Sequence, residues 1–329
     1  MYTYVYIHTY LLTCENYITN AIYASPPSSS GGPPYIRTCV NCMSHMSYLQ
    51  ARPPPQVGLD LIDTMADAGC AAGLLHALEH GAPAVQVPAL RALATMLTGS
   101  DAATRAVLEG GLPRLLPAFF SSSCARTRRE ACWAVSSVAT GSVGQVAALM
   151  ETSLVGLVVQ RLTVDEFDVK RMALCAVANV LHAFSVEPCA ASAGWVASLV
   201  YEMGAVAPLV AMLDIADAET ARVALDASAS LLAAGAYHAR CGAERSLAVP
   251  NPFALAFDEA GAVERLEALL QHPNNAICER AAALIDAHFG DEGWPPGMDG
   301  LTPAVAAEGF VFGASPGPML SAGPALFAF

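Results

Sequence analysis

The stretch EACWAVSSVATG, residues 130–141, places an indole (Trp133) and a hydroxyl (Ser137) four residues apart. MALCAVANVLHAF then places a thiol (Cys175) and a carboxamide (Asn179) at the same spacing, 42 residues further on. Residues at i and i+4 share one face of an α-helix, so each pair forms a patch of one bulky and one hydrogen-bonding group. Neither pair joins a nucleophile to a base. The sequence contains no GxSxG, no phosphate-binding glycine loop, no HExxH and no Cys/His pair at catalytic spacing, so no catalytic activity is expected. Ten cysteines are scattered along the chain, and Cys39-x-x-Cys42, with His45 nearby, is the one metal-like spacing. A structural zinc site needs four ligands and no second pair follows, so neither a metal nor another cofactor is expected. His182, His238, His272 and His288 show no ligand spacing and read as surface or helix-end residues. The other cysteines read as reduced core thiols.

The elements that hold Trp133 and Asn179 are legible from a repeat. LLHAL (74–78), LLPAF (115–119), VVQRL (158–162), LVAML (209–213) and LEALL (266–270) start 41, 43, 51 and 57 residues apart. A second set, ALRALATML from Ala89, ACWAVSSVA from Ala131 and ALCAVANVL from Ala173, recurs every 42 residues. A period of about 40–47 with two or three helices per unit predicts an all-α armadillo-type solenoid of about five repeats. The longer last two intervals are read as loop insertions at residues 185–195 and 238–250. In the second set the apolar stripe runs Ala89, Leu93, Met96; Ala131, Val135, Val138; and Ala173, Val177, Val180. Spaced i, i+4, i+7, it is one buried helical face. At about 100° per residue, Trp133 and Ser137 lie roughly 200° from Val135, on the opposite side. Arg91 with Thr95, and Cys175 with Asn179, share their register. The Trp133 side is thus expected to line a concave groove.

Composition agrees and sets limits. Of 329 residues, 54% are hydrophobic and 14% charged, which suits helices packed on helices. No run of about 18 apolar residues occurs, so a membrane span is not expected. The net charge of −13 speaks against a nucleic-acid partner and leaves open a basic one. Residues 1–57 form a different region: their first 25 hold six tyrosines and neither Lys nor Arg, and Pro/Ser/Gly-rich SPPSSSGGPP follows. They are read as a leader of low order, residues 58–292 as the repeat domain, and 293–329 as a flexible Gly/Pro/Ala tail containing Phe310-Val-Phe-Gly313.

REACWAVSSVATGSVGQVAALMETSLVGLVVQRL followed by EFDVKRMALCAVANVL resembles adjacent armadillo repeats of the importin α family. PALRALATMLTGSDAATRAVLEGGLPRLL resembles the repeat before them, and NPFALAFDEAGAVERLEALLQHPNNAICERAAALIDAHFGDE the family's last repeat. The resemblance covers residues 58–292 and is to the family's C-terminal half. It implies a right-handed superhelical solenoid, present in cytoplasm and nucleus, that binds basic nuclear localisation signals of cargo proteins in a minor-site-like groove. In that family Trp and, four residues on, Asn form the clamp. The amide holds peptide backbone, indoles wall the Lys or Arg stems and nearby acids bind the cationic heads. Carried across, the peptide-binding residues are Arg91, Thr95, Asp101, Glu130, Trp133, Ser136, Ser137, Cys175 and Asn179. No repeat keeps the full pair: Trp133 has Ser137 for its Asn, Asn179 has Cys175 for its Trp, and Asp226 is followed by Ser230. Met172 stands where Glu130 has an acid. The first 90 residues contain only Arg37 and Arg52 as basic groups, so importin β is not expected as a partner. An export receptor at the last repeat, residues 258–292, is implied by the resemblance. The alternative expectation is a degenerate armadillo scaffold without cargo binding.

Overall fold

The computed structural model describes residues 62–186, 188–242, 251–289, 304–306 and 309–311. The leader with Cys39, Cys42 and His45 lies outside the described residues, as does most of the tail. After a helical segment at residues 62–67 come α1 (Cys70–His80), α2 (Pro83–Met96), α3 (Asp101–Glu109), α4 (Leu112–Phe120) and α5 (Ala125–Ala139). They continue as α6 (Val143–Met150), α7 (Leu154–Val164), α8 (Phe167–Val186), α9 (Ala190–Tyr201) and α10 (Val206–Ala211), which passes into a 3₁₀ turn at Met212–Asp214. Last come α11 (Ala218–Gly242), α12 (Pro252–Glu259), α13 (Ala262–Leu269) and α14 (Asn275–His288). Every third helix belongs to one series: α2, α5, α8, α11 and α14 stack on one another in that order. The two preceding helices of each repeat pack against one side of this ladder. The all-α, five-repeat expectation holds. From the tail, Ala304–Ala306 and Gly309–Val311 form a short antiparallel pair that includes Phe310 and Val311.

Local chemistry recurs with the repeat. The turn before the second helix carries a glycine with positive φ at Gly69, Gly111, Gly204 and Gly261, a conformation costly for any residue with a Cβ. Ser100 and Ser142, 42 residues apart, cap α3 and α6, the second through a capping box with Gln145. The apolar stripes of α2, α5 and α8 are buried at every predicted position. One expectation changes. The extra residues of the last two intervals are not simply loops: α8 runs to Val186 and α11 to Gly242, 20 and 25 residues against 15 in α5. Helix therefore takes up part of each insertion: residues 185–186 extend α8, residues 190–195 lie in α9 and residues 238–242 extend α11.

Two junctions fix neighbouring repeats. Asn251 caps α12 by accepting from Phe253 N at 3.0 Å and Ala254 N at 3.3 Å, and its amide donates to the Leu232 carbonyl of α11 at 2.8 Å. This contact needs the bare backbone of Gly235, since a Cβ there would lie 2.0 Å from Asn251 Oδ1 and 2.8 Å from Phe253 Cβ. At the other junction Asp165, buried after α7, accepts from Arg128 Nε at 2.7 Å and Nη2 at 2.6 Å, with Arg161 at 3.5 Å. Burial by itself would raise the Asp165 pKa. The Arg128 hydrogen bonds, the Glu166 backbone N–H and the Arg161 charge outweigh burial and hold it below the ordinary carboxylate value.

Gly235→Ala is expected to cost about 2 kcal/mol of stability, read as a lower urea midpoint. For Asp165, the depressed folded-state pKa adds stability fully present above the unfolded value of about 4 and lost as pH falls through the folded value. Asp165→Asn is therefore expected to lower the melting temperature at pH 7, while losing less further stability than the native chain between pH 5 and pH 3.

Candidate peptide-binding groove

Trp133 stands on α5, Cys175 on α8 and Asp226 on α11, each two residues after the first alanine of its helix motif (Ala131, Ala173, Ala224). Four residues on are Ser137, Asn179 and Ser230. Because the third helices stack in order, these positions form two parallel rows on the ladder's open side. Trp133, Cys175, Asn179, Asp226 and Ser230 are half-buried, and Trp133 and Cys175 also pack against the core. Asn179 Nδ2 donates across to α5, to the Ser136 carbonyl at 3.1 Å and Ser136 Oγ at 3.0 Å. No hydrogen bond to Asn179 Oδ1 occurs among the described residues. Ser185 and Ser230 hydroxyls join α8 to α11 at 3.1 Å.

Other carried-over residues are placed differently from a free binding surface. Glu130, expected to bind the cationic head of a peptide, is 1% exposed. It accepts from Arg91 Nε at 3.1 Å, from Arg91 Nη2 and from Arg129 Nη2 at 3.0 Å. Arg91, also buried, is committed to the same ion pair. Register explains this: Arg91 sits in the row of Trp133 one repeat earlier, so its guanidinium reaches the acid preceding that tryptophan. Thr95 is buried, and its hydroxyl donates back to the Arg91 carbonyl at 3.0 Å. Ser136 and Ser137 are buried too, and Ser137 Oγ has no hydrogen-bond partner among the described residues. Asp101 lies away from these rows, exposed in the first turn of α3, where it accepts from Gln145 at 3.1 Å.

Burial pushes the Cys175 thiol up to about 11, so it is protonated at neutral pH. Cys132, buried behind it on α5, is raised as well. Against the expectation of core thiols, Cys124 is exposed at the start of α5, where hydrogen bonds from Thr127 lower its pKa. Among the described residues no three His, Cys, Asp or Glu side chains cluster to hold a metal ion, and no single helix is long and apolar enough to cross a membrane.

A third row escaped the sequence reading. Arg129, Arg171 and Arg222 occupy one register, each two residues before the first alanine of its helix motif and four before Trp133, Cys175 and Asp226. Arg222 binds Glu219 at 2.5 Å and Asp226 at 3.3 Å, and Arg280 of α14 pairs with Asp226. The shared spacing from the alanines was the available signal.

Replacing one partner of the buried Arg91–Glu130 pair strands the other charge. Glu130→Ala is expected to cost about 3–5 kcal/mol, and the double replacement Arg91→Met with Glu130→Leu considerably less, both read from denaturant unfolding.

Residues 251–303 match the family described as an atypical Arm repeat. The chain is similar to importin subunit alpha-1a of Oryza sativa subsp. japonica, 30% identical over 77% of this chain and 46% of the relative. Against importin subunit alpha-3 of Arabidopsis thaliana the identity is 28%, over 78% of this chain and 46% of the relative. The chain thus spans less than half the length of these curated relatives. Among solved structures, a designed armadillo repeat protein in complex with the peptide (KR)4 superposes with a TM-score of 0.57 at 24% identity, covering 70% of this chain and 86% of the other. A computationally designed armadillo repeat protein for modular peptide recognition gives 0.58 at 24% identity, covering 69% and 86%. The ladder of third helices, the order of the repeat motifs and these likenesses agree: the chain is an importin-α-like armadillo-repeat protein.

Proposed function

We propose that this chain is a non-catalytic adaptor of protein import into the nucleus, holding an extended, basic segment of its cargo across the open side of the third-helix ladder. The observation that carries this reading is Asn179, whose amide nitrogen is engaged by Ser136 while its carbonyl oxygen is left to accept from a peptide N–H. Half-buried Trp133 lies one helix away, one helical turn back in register, and offers an aromatic wall to an aliphatic stem. The names of the importin α relatives and the (KR)4 complex of a structural neighbour support a peptide ligand, and the former support movement between cytoplasm and nucleus. Contact with an export receptor through residues 258–292 belongs to the same reading.

A second reading, an armadillo scaffold that no longer carries cargo, is favoured by the commitment of Glu130 to Arg91 and Arg129 and by buried Met172 at the equivalent place in the next repeat.

One titration separates the two. Fluorescence anisotropy with a labelled basic localisation peptide is expected to give micromolar binding, weakened about tenfold by Trp133→Ala and by Asn179→Ala. Binding weaker than about 1 mM, or unchanged in both variants, would leave the scaffold reading.

A further inference from the structure

The solvent side of α1 carries a pair of side chains that neither the core nor the groove uses. His76 and His80 stand four residues apart, so they share one face of the helix on successive turns. Their ring centroids are 4.7 Å apart and the ring planes are inclined at 58°. Both are exposed, while Leu74, Leu75 and Leu78 of the same helix are buried. Ala72, Ala77 and Gly81 around them present no long side chain that would screen the pair.

The repeat supplies an internal control. The segments LLHAL, LLPAF, VVQRL, LVAML and LEALL put His76, Pro117, Gln160, Ala211 and Ala268 at one position of the second helix. Four residues after it, His80 is matched by Ser121, Val164, Ile215 and His272. Of these five segments, the one in α1 alone has histidine at both positions, so helix packing does not require the pair.

Imidazole nitrogens are ligands for zinc, nickel and copper ions. An ion bonded to two of them at about 2.0–2.1 Å holds the nitrogens roughly 3–3.4 Å apart. Rings this close reach that separation by rotation about their side-chain bonds. Each imidazole has two nitrogens, so a contact made through one leaves the other for the ion. Two neighbours favour a cation here. Glu79 Oε2 lies 3.6 Å from His80 Nε2. His80 also closes α1, at the negative end of the helix dipole. Glu79 is itself paired with Arg114 at 3.3 Å, which makes it a neighbouring charge and not a third ligand. No three His, Cys, Asp or Glu side chains converge among the described residues. His-x-x-Glu-His is also the spacing of a class of zinc peptidases, whose catalytic ion takes three protein ligands, so the geometry here supports binding and not catalysis.

We infer that His76 and His80 form a two-imidazole chelate for one divalent transition-metal ion of the Zn²⁺, Ni²⁺ or Cu²⁺ type, with water completing its coordination. The ion clips successive turns of α1 together, so its binding free energy adds to the stability of the first described repeat. The site lies apart from the peptide groove and does not depend on the adaptor reading.

Isothermal titration calorimetry of the full chain with NiCl₂ tests this, with MgCl₂ as the oxygen-preferring control. The chain also holds thiols, so the difference between the native chain and histidine variants reports the site. His76→Gln and His80→Gln are each expected to weaken Ni²⁺ binding at this site about tenfold or more, and the double replacement no further, because a chelate is lost with either arm. Both side chains are exposed, and circular dichroism checks that the variants fold as the native chain does. Saturating Ni²⁺ is expected to slow amide hydrogen exchange in α1 of the native chain and of neither single variant. The chelate is overturned by absence of Ni²⁺ binding to the native chain, by Mg²⁺ binding as tightly as Ni²⁺, by equal binding to native chain and single variants, or by losses that add in the double variant.

Discussion

The structure depends on how closely the third helices approach one another. Each of α2, α5, α8 and α11 has alanine at two positions three apart: Ala89 and Ala92, Ala131 and Ala134, Ala173 and Ala176, Ala224 and Ala227. All eight are buried. Such small side chains let helix axes come near the lower end of the usual spacing, and the larger members of the stripe, such as Leu93, Val135 and Val177, then fill the layer behind them. A single repeat cannot bury this stripe alone, so stability is shared between neighbours. Any residue at a given offset from those alanines is held in a row on the opposite side.

That row organises the polar chemistry. Side chains on successive helices meet across one helix–helix step, which is why Asn179 reaches Ser136 and Arg91 reaches Glu130. Buried polar atoms need partners, and most here find them across the step between repeats. Ser137 Oγ is an exception: it occupies the register of Asn179 and Ser230 but has no hydrogen-bond partner among the described residues. The Arg128–Asp165–Arg161 group does for the outer edge what Asn179–Ser136 does for the inner one, joining successive repeats through a buried acceptor. Charge on the open side is therefore set by which partner each arginine takes.

Much of this was legible because it is periodic. The 42-residue recurrence identified the solenoid, and the i, i+4, i+7 stripe identified the buried face and, by subtraction, the side carrying Trp133 and Asn179. The burial of Glu130 was not legible, because its environment is supplied by Arg91, 39 residues away, and solvation is a property of neighbours. Residues 185–186 and 238–242 were read as loop although helix continues through them, since sequence period reports an insertion without saying which conformation absorbs it.

What the sequence by itself determined is the repeat, its register and the identity of the side chains in each row, because helical periodicity converts spacing directly into direction. What only the tertiary structure decided is which of those side chains are committed to one another. Arg91 and Glu130 close on each other, Asn179 gives its amide hydrogens to Ser136, and Arg222 and Arg280 converge on Asp226. These pairings depend on the distance and rotation between stacked helices, which are set by packing across repeats and are not written in any one of them.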